Sequence, residues 1–295
     1  MPETLGRLVG LGGNFFAVVA GDDDSVYGGF GANQAFVLLE DSVLVFDSGF
    51  SISQARNLLN KIRGLTDKKI RYLVNSHDHS DHVFGNSFFW ARFAPSGLRI
   101  ISHGICRDNI LKTGSKRLKN YRKLPGLDAS LKSIELLAPN VVYPDLGMRL
   151  EIEGTGMVFS HPPTGAHTLG DTMLFFPSDG IAFAGDIVWN RFLPNLEDAN
   201  LEGWISYLQD LDLDAYPKIV PGHGRVCGRD RLIEFRDYIG QVHSKILDIN
   251  LSENSTLDRK NLRDCFAIPG TEDWKFRQIV DHNVDALFGK MNFRS

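Results

Sequence analysis

Between Asn75 and Asn86 the chain reads NSHDHSDHVFGN, which puts His77, His79 and His82 with Asp78 and Asp81 inside six consecutive positions. Imidazole and carboxylate are the ligands that a borderline divalent ion such as zinc takes most readily. His77 and His79, two apart, can both reach inward from a turning loop, and Asp81 and His82 follow where a second ion could be held. Each of these residues alone could be a hydrogen-bonded loop residue. As a group they resist that reading, because only nine histidines occur in the 295 residues and so many ligand-type groups in close company need a shared partner.

Three further positions repeat one local pattern, an apolar run, a glycine-containing turn and then a ligand-type side chain. They are His167 in PTGAHTLGD, Asp186 in IAFAGDIVW and His223 in KIVPGHG. Loops at strand ends are where layered folds assemble their sites. Seven candidate ligands therefore arise from one pattern, enough for two metal ions.

The elements that must position them form two strand-rich blocks. The first holds NFFAVVA, NQAFVLLE and SVLVFDSGF, with a tight turn expected at Asp41 and Ser42. The helix SISQARNLLNKIRGL follows, with Ile52, Ala55, Leu58, Leu59 and Ile62 at helical spacing and Ser51 as N-cap. IRYLV and LRIISH are further strands. The second block holds MRLEIEG, GMVFSHP, TMLFFP and GIAFAGDIVW, then the helix NLEGWISYLQDL and the strand KIVPGHG. Two such halves imply an α+β fold, two packed sheets with helices outside in an αββα sandwich spanning residues 1–228. The sequence from 229 to 295 reads as a helical extension packed on the same domain, with helices expected at about 229–250, 258–266 and 272–290.

The seven positions, in this order, resemble the metallo-β-lactamase superfamily, whose mark is His-x-His-x-Asp-His followed by a distal His, a bridging Asp and a last His. The resemblance runs over about residues 33–226. It implies that His77, His79 and His167 bind a first metal, that Asp81, His82 and His223 bind a second, and that Asp186 bridges the two. The implied cofactor is a pair of Zn²⁺ ions, with Fe or Mn as alternatives. Two cations sharing one water lower its pKa towards neutrality, and Asp81 would orient the resulting nucleophile. Asp47 in LVFDSG matches the upstream Asp-x-Gly that props the metal loop by hydrogen bonding. Asn190 and Arg191, just past Asp186, are candidates for substrate contact.

The departures from the family narrow the branch. The β-lactamases that use cysteine for the second metal would carry it near position 186, where this chain has aspartate, and the other dinuclear β-lactamases lack the bridging aspartate. His79 stands where the flavodiiron branch carries Glu. The full Asp-bridged set resembles glyoxalase II-like thioesterases, lactonases and phosphodiesterases. The stretch AGDIVWNRFLPNLEDANLEGW is similar to hydrolases associated with sulfur oxidation and quinoprotein clusters. The activity implied is hydrolysis of an ester, thioester or lactone. The alternatives are a β-lactamase on the same site, or a metal-binding or redox protein using the cage for iron.

The remaining features bound that reading. A formal net charge of −4 gives no reason to expect nucleic acid, and no apolar run reaches the roughly 18 residues of a membrane span. A small-molecule substrate is expected. Cys106, Cys227 and Cys265 are widely spaced and odd in number, which fits a reducing, cytoplasmic setting. The opening MPETLGRLVGLGGNFFAVVAGDDD has some character of an export signal, which would mean a periplasmic or secreted protein, and NFFAVVA reads equally as a first strand. Residues 107–123 carry seven basic side chains against one acidic. They are expected to form a solvated helix with Ile110, Leu111, Leu118 and Tyr121 facing inward, or alternatively an overhang that attracts an anionic substrate. His103 and His161 are expected to be hydrogen-bonded wall or structural histidines, and His243 and His282 to lie on solvated faces.

Overall fold

The computed structural model describes residues 6–20, 31–124, 127, 129–145, 147–251 and 258–292. Two sheets form its centre. In the first, β1 (Arg7–Gly12), β2 (Phe15–Val19), β3 (Gln34–Leu38) and β4 (Ser42–Phe46) pair antiparallel, and β5 (Lys69–Val74), β6 (Arg99–His103) and β7 (Val141–Tyr143) continue parallel from β4. In the second, β8 (Met148–Ile152), β9 (Thr155–Ser160), β10 (Met173–Phe176) and β11 (Ile181–Trp189) run antiparallel, and β12 (Lys218–His223) adds parallel to β11.

Alternation along the strands decides which face meets which layer. Phe15, Val37, Leu44 and Phe46 of the first sheet meet Phe159, Leu174, Phe176, Phe183 and Val220 of the second in one apolar cluster, which makes the two sheets a sandwich. The opposite face of the first sheet, with Phe36, Val43, Val45 and Leu73, packs on α1 (Ile52–Arg63) and α3 (Asn86–Phe93). Ser51 caps α1 by accepting from the Gln54 amide at 3.2 Å, and the helix buries Ala55, Leu58 and Ile62 completely. Full burial of Leu58 or Ile62 contributes about 2 kcal/mol each. The αββα arrangement is thus completed by helices on the outer faces.

On the second sheet's outer face, α5 (Leu201–Asp210), α6 (Arg229–Leu251), α7 (Arg259–Asp264) and α8 (Ile279–Asn292) share one cluster that runs from Ala166 through Trp189, Trp204, Phe235 and Trp274 to Val284. The C-terminal helices are therefore built into the core that supports β11 and β12. The expected third helix, 272–290, begins later, at Ile279. Residues before it are turned aside because Lys275 pairs with the loop after β11, with its amide on the Arg191 carbonyl at 2.8 Å and its carbonyl on the Leu193 amide at 3.0 Å.

Other expectations need adjusting. NFFAVVA does form a strand, β2, but β1 precedes it at the sheet edge; positions 1–5 and 21–24 of the signal-like stretch lie outside the described residues. The basic segment is helical, within α4 (Gly104–Tyr121), and buries Cys106, Ile110, Gly114 and Leu118. Leu111, expected inside, is 65% exposed because the buried stripe follows a 4-4-4 spacing that passes it by. No helix among the described residues is long and apolar enough to cross a membrane.

Candidate metal centre

All seven candidate ligands lie at one end of the sandwich. β5 delivers the loop with His77 and His79 into the short helix α2 (Ser80–Val83), which carries Asp81 and His82. Asp186 sits within β11, His223 ends β12 and His167 lies between β9 and β10. Three devices fix these loops. Asn33 donates to the carbonyls of Pro221 and Gly224 at 2.9 and 2.7 Å and so holds the turn around His223. Asp171 accepts from the amide and hydroxyl of Thr168, both at 2.8 Å, and shapes the turn after His167. Gly222 lies so close to Asp186 Oδ1 that a Cβ there would overlap it, which is why the PGHG turn requires glycine before its histidine.

The ligand atoms form two groups. One ligand atom each from His77, His79, His167 and Asp186 lie within 4.8 Å of one another, and so do those of Asp81, His82 and His223. Asp186 faces both groups: Oδ2 is 3.3 Å from His167 Nε2 and 3.8 Å from His77 Nε2, while Oδ1 is 3.2 Å from His82 Nε2 and 3.5 Å from His223 Nε2. Asp81 Oδ2 lies 3.3 Å from His223 Nε2. The carboxylate thus presents one oxygen to each half of the cluster.

Hydrogen bonds on the outer side of the histidines set which nitrogen points inward. Asp47 accepts from the Ser76 amide, the Ser76 hydroxyl and His82 Nδ1, each at 2.7 Å. The Ser76 hydroxyl, its proton committed to Asp47, accepts from His77 Nδ1 at 3.0 Å. Both His77 and His82 therefore carry their proton on Nδ1 and turn a bare Nε2 inward. Asp47 adopts φ 62, a left-handed backbone uncommon outside glycine, and the three bonds it accepts hold it there. Burial pushes its carboxyl up from the usual range, against the pull of His82.

Asp198 does the same for His79, and nothing in the sequence singled it out. His79 Nε2 donates to Asp198 at 3.0 Å, leaving Nδ1 inward, 2.9 Å from His167 Nε2. That hydrogen bond holds the Asp198 carboxyl well below its usual range. Arg117, from the basic segment, joins Asp198 at 3.4 Å to the buried Asp78 at 2.7 Å, and so ties α4 to the metal loop. An aspartate 119 positions from its histidine has no local spacing that could announce it.

Whether these residues suit metal ions is answered by atoms left without protein partners. His77 Nε2, His82 Nε2, His223 Nε2 and Asp186 Oδ1 are buried and make no hydrogen bond. Leaving such atoms bare in the interior costs about 1–3 kcal/mol each. Three imidazole nitrogens and a carboxylate oxygen converging in this way are a divalent-metal donor set. Asp186 and His223 also line a cavity of about 740 Å³.

The cavity walls differ from expectation. Asn190 and Arg191 do not line it. Asn190 Nδ2 donates to the Arg225 carbonyl at 2.9 Å, and Arg191 pairs with Asp273 at 2.7 Å, because the chain turns away from the site at Arg191, φ 57. Lys116, Arg117 and Asn120 of α4 do line it, and so do Phe276, Ile279 and His282 from the C-terminal region. His282 is exposed, as expected, and at the cavity it pairs with Glu197 at 3.0 Å. His103 and His161 stack on each other at 3.8 Å outside the cavity. Cys227 is part-buried and its thiol is pushed up to about 12 by burial.

Comparison with known proteins agrees with this geometry. Residues 27–223 match the model of the metallo-beta-lactamase superfamily. A linear primary-alkylsulfatase of Pseudomonas sp. is 25% identical over 242 residues, 70% of this chain and 44% of that protein. The alpha subunit of a 2,4-dinitroanisole O-demethylase of Nocardioides sp. is 26% identical over 192 residues, covering 62% of this chain and 50% of that one. The chain thus spans about half the length of the curated relatives it matches. Among solved structures, the sec-alkylsulfatase Pisa1 of Pseudomonas sp. superposes with a TM-score of 0.71 at 18% identity, over 97% of this chain and 50% of its own. A metallo-beta-lactamase from Pontibacter korlensis gives 0.62 at 16% identity, over 79% of this chain and 98% of its own.

Proposed function

The chain belongs to the metallo-beta-lactamase superfamily, and on that premise we propose that it is a dinuclear zinc-dependent hydrolase of an ester, thioester or lactone. One observation carries the reading: Nε2 of His77, His82 and His223 and Oδ1 of Asp186 converge without a hydrogen bond, and Asp186 and His223 also face an open cavity. A structural zinc site is closed by four protein ligands, whereas a site for chemistry keeps an open position.

His77, His79 and His167 would hold one ion, Asp81, His82 and His223 the other, with Asp186 between them. Bound there, the pair supplies a water of lowered pKa and an electrophile for the scissile bond. The chain's own contribution is orientation. Asp47 and Asp198 keep His82 and His79 in single tautomers, and Asp81 presents its Oδ2 beside His223 where it can hold the proton of the attacking water. Replacing Asp198 with alanine is expected to weaken metal retention about 10- to 100-fold while the protein stays folded. Competition with a chromogenic chelator measures it, and unchanged retention would show that His79 needs no such prop.

Substrate class is tested on one zinc-loaded preparation with a panel of thioesters, lactones, carboxylic esters and β-lactams. Sulfate esters belong in the panel because two relatives are named alkylsulfatases. Ester or thioester cleavage is expected to exceed β-lactam cleavage. A β-lactam turned over at kcat/KM on the order of 10⁶ M⁻¹s⁻¹, with every ester slower, overturns the proposal in favour of a β-lactamase.

A further inference from the structure

Phe276 has a backbone that an ordinary core aromatic does not need. Its φ is 62, in the left-handed region where a bulky residue is an outlier, and such outliers gather at functional sites. Bonds on both sides hold it: Lys275 is bridged to Arg191 and Leu193, and the Ile279 amide donates to the Phe276 carbonyl at 3.0 Å. Arg191, at the other end of that bridge, is also left-handed at φ 57. The clasp therefore joins two strained residues, and it fixes the C-terminal segment against the loop that leaves β11.

The consequence is the placement of a ring. The Phe276 ring lies parallel to Trp189, 6.5 Å away at 4°, and Trp189 stacks on His223 at 4.1 Å and 20°. Trp189 is itself locked by donating Nε1–H to the Asp186 carbonyl at 2.9 Å. Trp189, Phe276 and Ile279 all line the cavity, and they supply an apolar wall that begins at a candidate ligand. The lining from α4 is mainly polar, with Thr113, Lys116, Arg117 and Asn120, and ends at the Tyr121 ring. An ester whose reacting group sits at the centre would meet contiguous apolar surface along Trp189, Phe276 and Ile279.

We propose that Phe276 is a specificity-determining residue: with Trp189 and Ile279 it forms the surface on which the apolar arm of the substrate lies, so that the C-terminal extension selects substrates by the length of that arm. The inference rests on the hydrolase reading for its kinetic test, and a binding test separates the two. Phe276→Gly removes the ring and suits the left-handed backbone, which offsets part of the cost of taking a buried ring from the core. Ile279→Ala changes the same wall at an ordinary helical backbone position.

The zinc-loaded full chain, wild type and both variants, is assayed with p-nitrophenyl esters of increasing acyl length from acetate to decanoate. Wild type is expected to gain about 10-fold or more in kcat/KM along the series, because each added methylene in an apolar pocket contributes to discrimination. Phe276→Gly is expected to lose most of that gain, so that the ratio of decanoate to acetate kcat/KM falls about 10-fold. Acetate and decanoate esters slowed equally, or a length dependence unchanged in Phe276→Gly, overturns the inference. If no ester is cleaved by wild type, the hydrolase reading falls, and calorimetric binding of the matching carboxylates decides: a length-dependent affinity present in wild type and lost in the variant supports the wall, and equal profiles, or none in wild type, overturn it. Should Phe276→Gly fail to fold by thermal melt, Ile279→Ala decides by the same criteria.

Discussion

Asp186→Ala is expected to lower turnover by several orders of magnitude, on the order of 10³-fold or more, while the chain remains folded. The reason lies in the position of its two oxygens, one 3.2 Å from His82 Nε2 and the other 3.3 Å from His167 Nε2. No other carboxylate among the described residues faces both halves of the cluster in this way. Its removal would take a shared ligand from both ions of the proposed pair and leave the buried histidines without the negative charge that would compensate bound cations. β11 is long and its pairing with β10 and β12 does not depend on that side chain, so circular dichroism should be unchanged. Elemental analysis should fall from close to two divalent ions per chain towards one or fewer. Wild-type turnover in folded, metal-loaded Asp186→Ala would show that another group joins the two halves.

Chelation is expected to abolish activity reversibly and to lower the melting temperature. Metal bound to the folded chain but not to the unfolded one stabilises it by mass action, about 4 kcal/mol when free metal exceeds its Kd a thousandfold. Removal also leaves His77 Nε2, His82 Nε2 and His223 Nε2 buried without a partner. Recovery on adding zinc should steepen with pH. Burial opposes a charge on His223, but the neighbouring Asp186 and Asp81 carboxylates outweigh it and lift the group to about 9 in the metal-free chain. A raised pKa means that the proton is held through neutrality and must leave before the nitrogen can bind metal, so affinity increases from pH 6 to pH 9. Titration with zinc at several pH values measures this. A metal affinity that is flat across that range, with activity surviving exhaustive chelation, would point to a mechanism carried by side chains alone.

The candidate ligand set was legible because metal chemistry restricts residue type. Only a few side chains bind a borderline divalent ion, and His77, His79, Asp81, His82, His167, Asp186 and His223 each follow a strand or a glycine turn that shows in the chain itself. Strand and helix periods were legible for the same kind of reason. Continuous apolar runs in β3, β4 and β10 report strands buried on both faces, the helical spacing from Ile52 to Ile62 reports a buried helix face, and burial is a local demand on each residue. Asp47 stood in a short motif next to a strand end and could be read as the prop it is.

Asp198 and Phe276 carried no such mark, and Arg117 showed only as one of the basic residues of the 107–123 segment. An aspartate that orients His79, or a phenylalanine that stacks on Trp189, is chemically ordinary, and its role comes from a neighbour 119 or 87 positions away. Arg191 shows the converse error, since closeness to Asp186 in sequence made it a candidate while a left-handed backbone turned it towards Asp273. The sequence by itself therefore determined which residues can hold metal and which layers they stand on, because those depend on side-chain type and local period. The tertiary structure alone decided how the histidines are oriented and what walls the cavity, because hydrogen bonds and packing across the ends of two sheets join residues whose spacing along the chain is arbitrary.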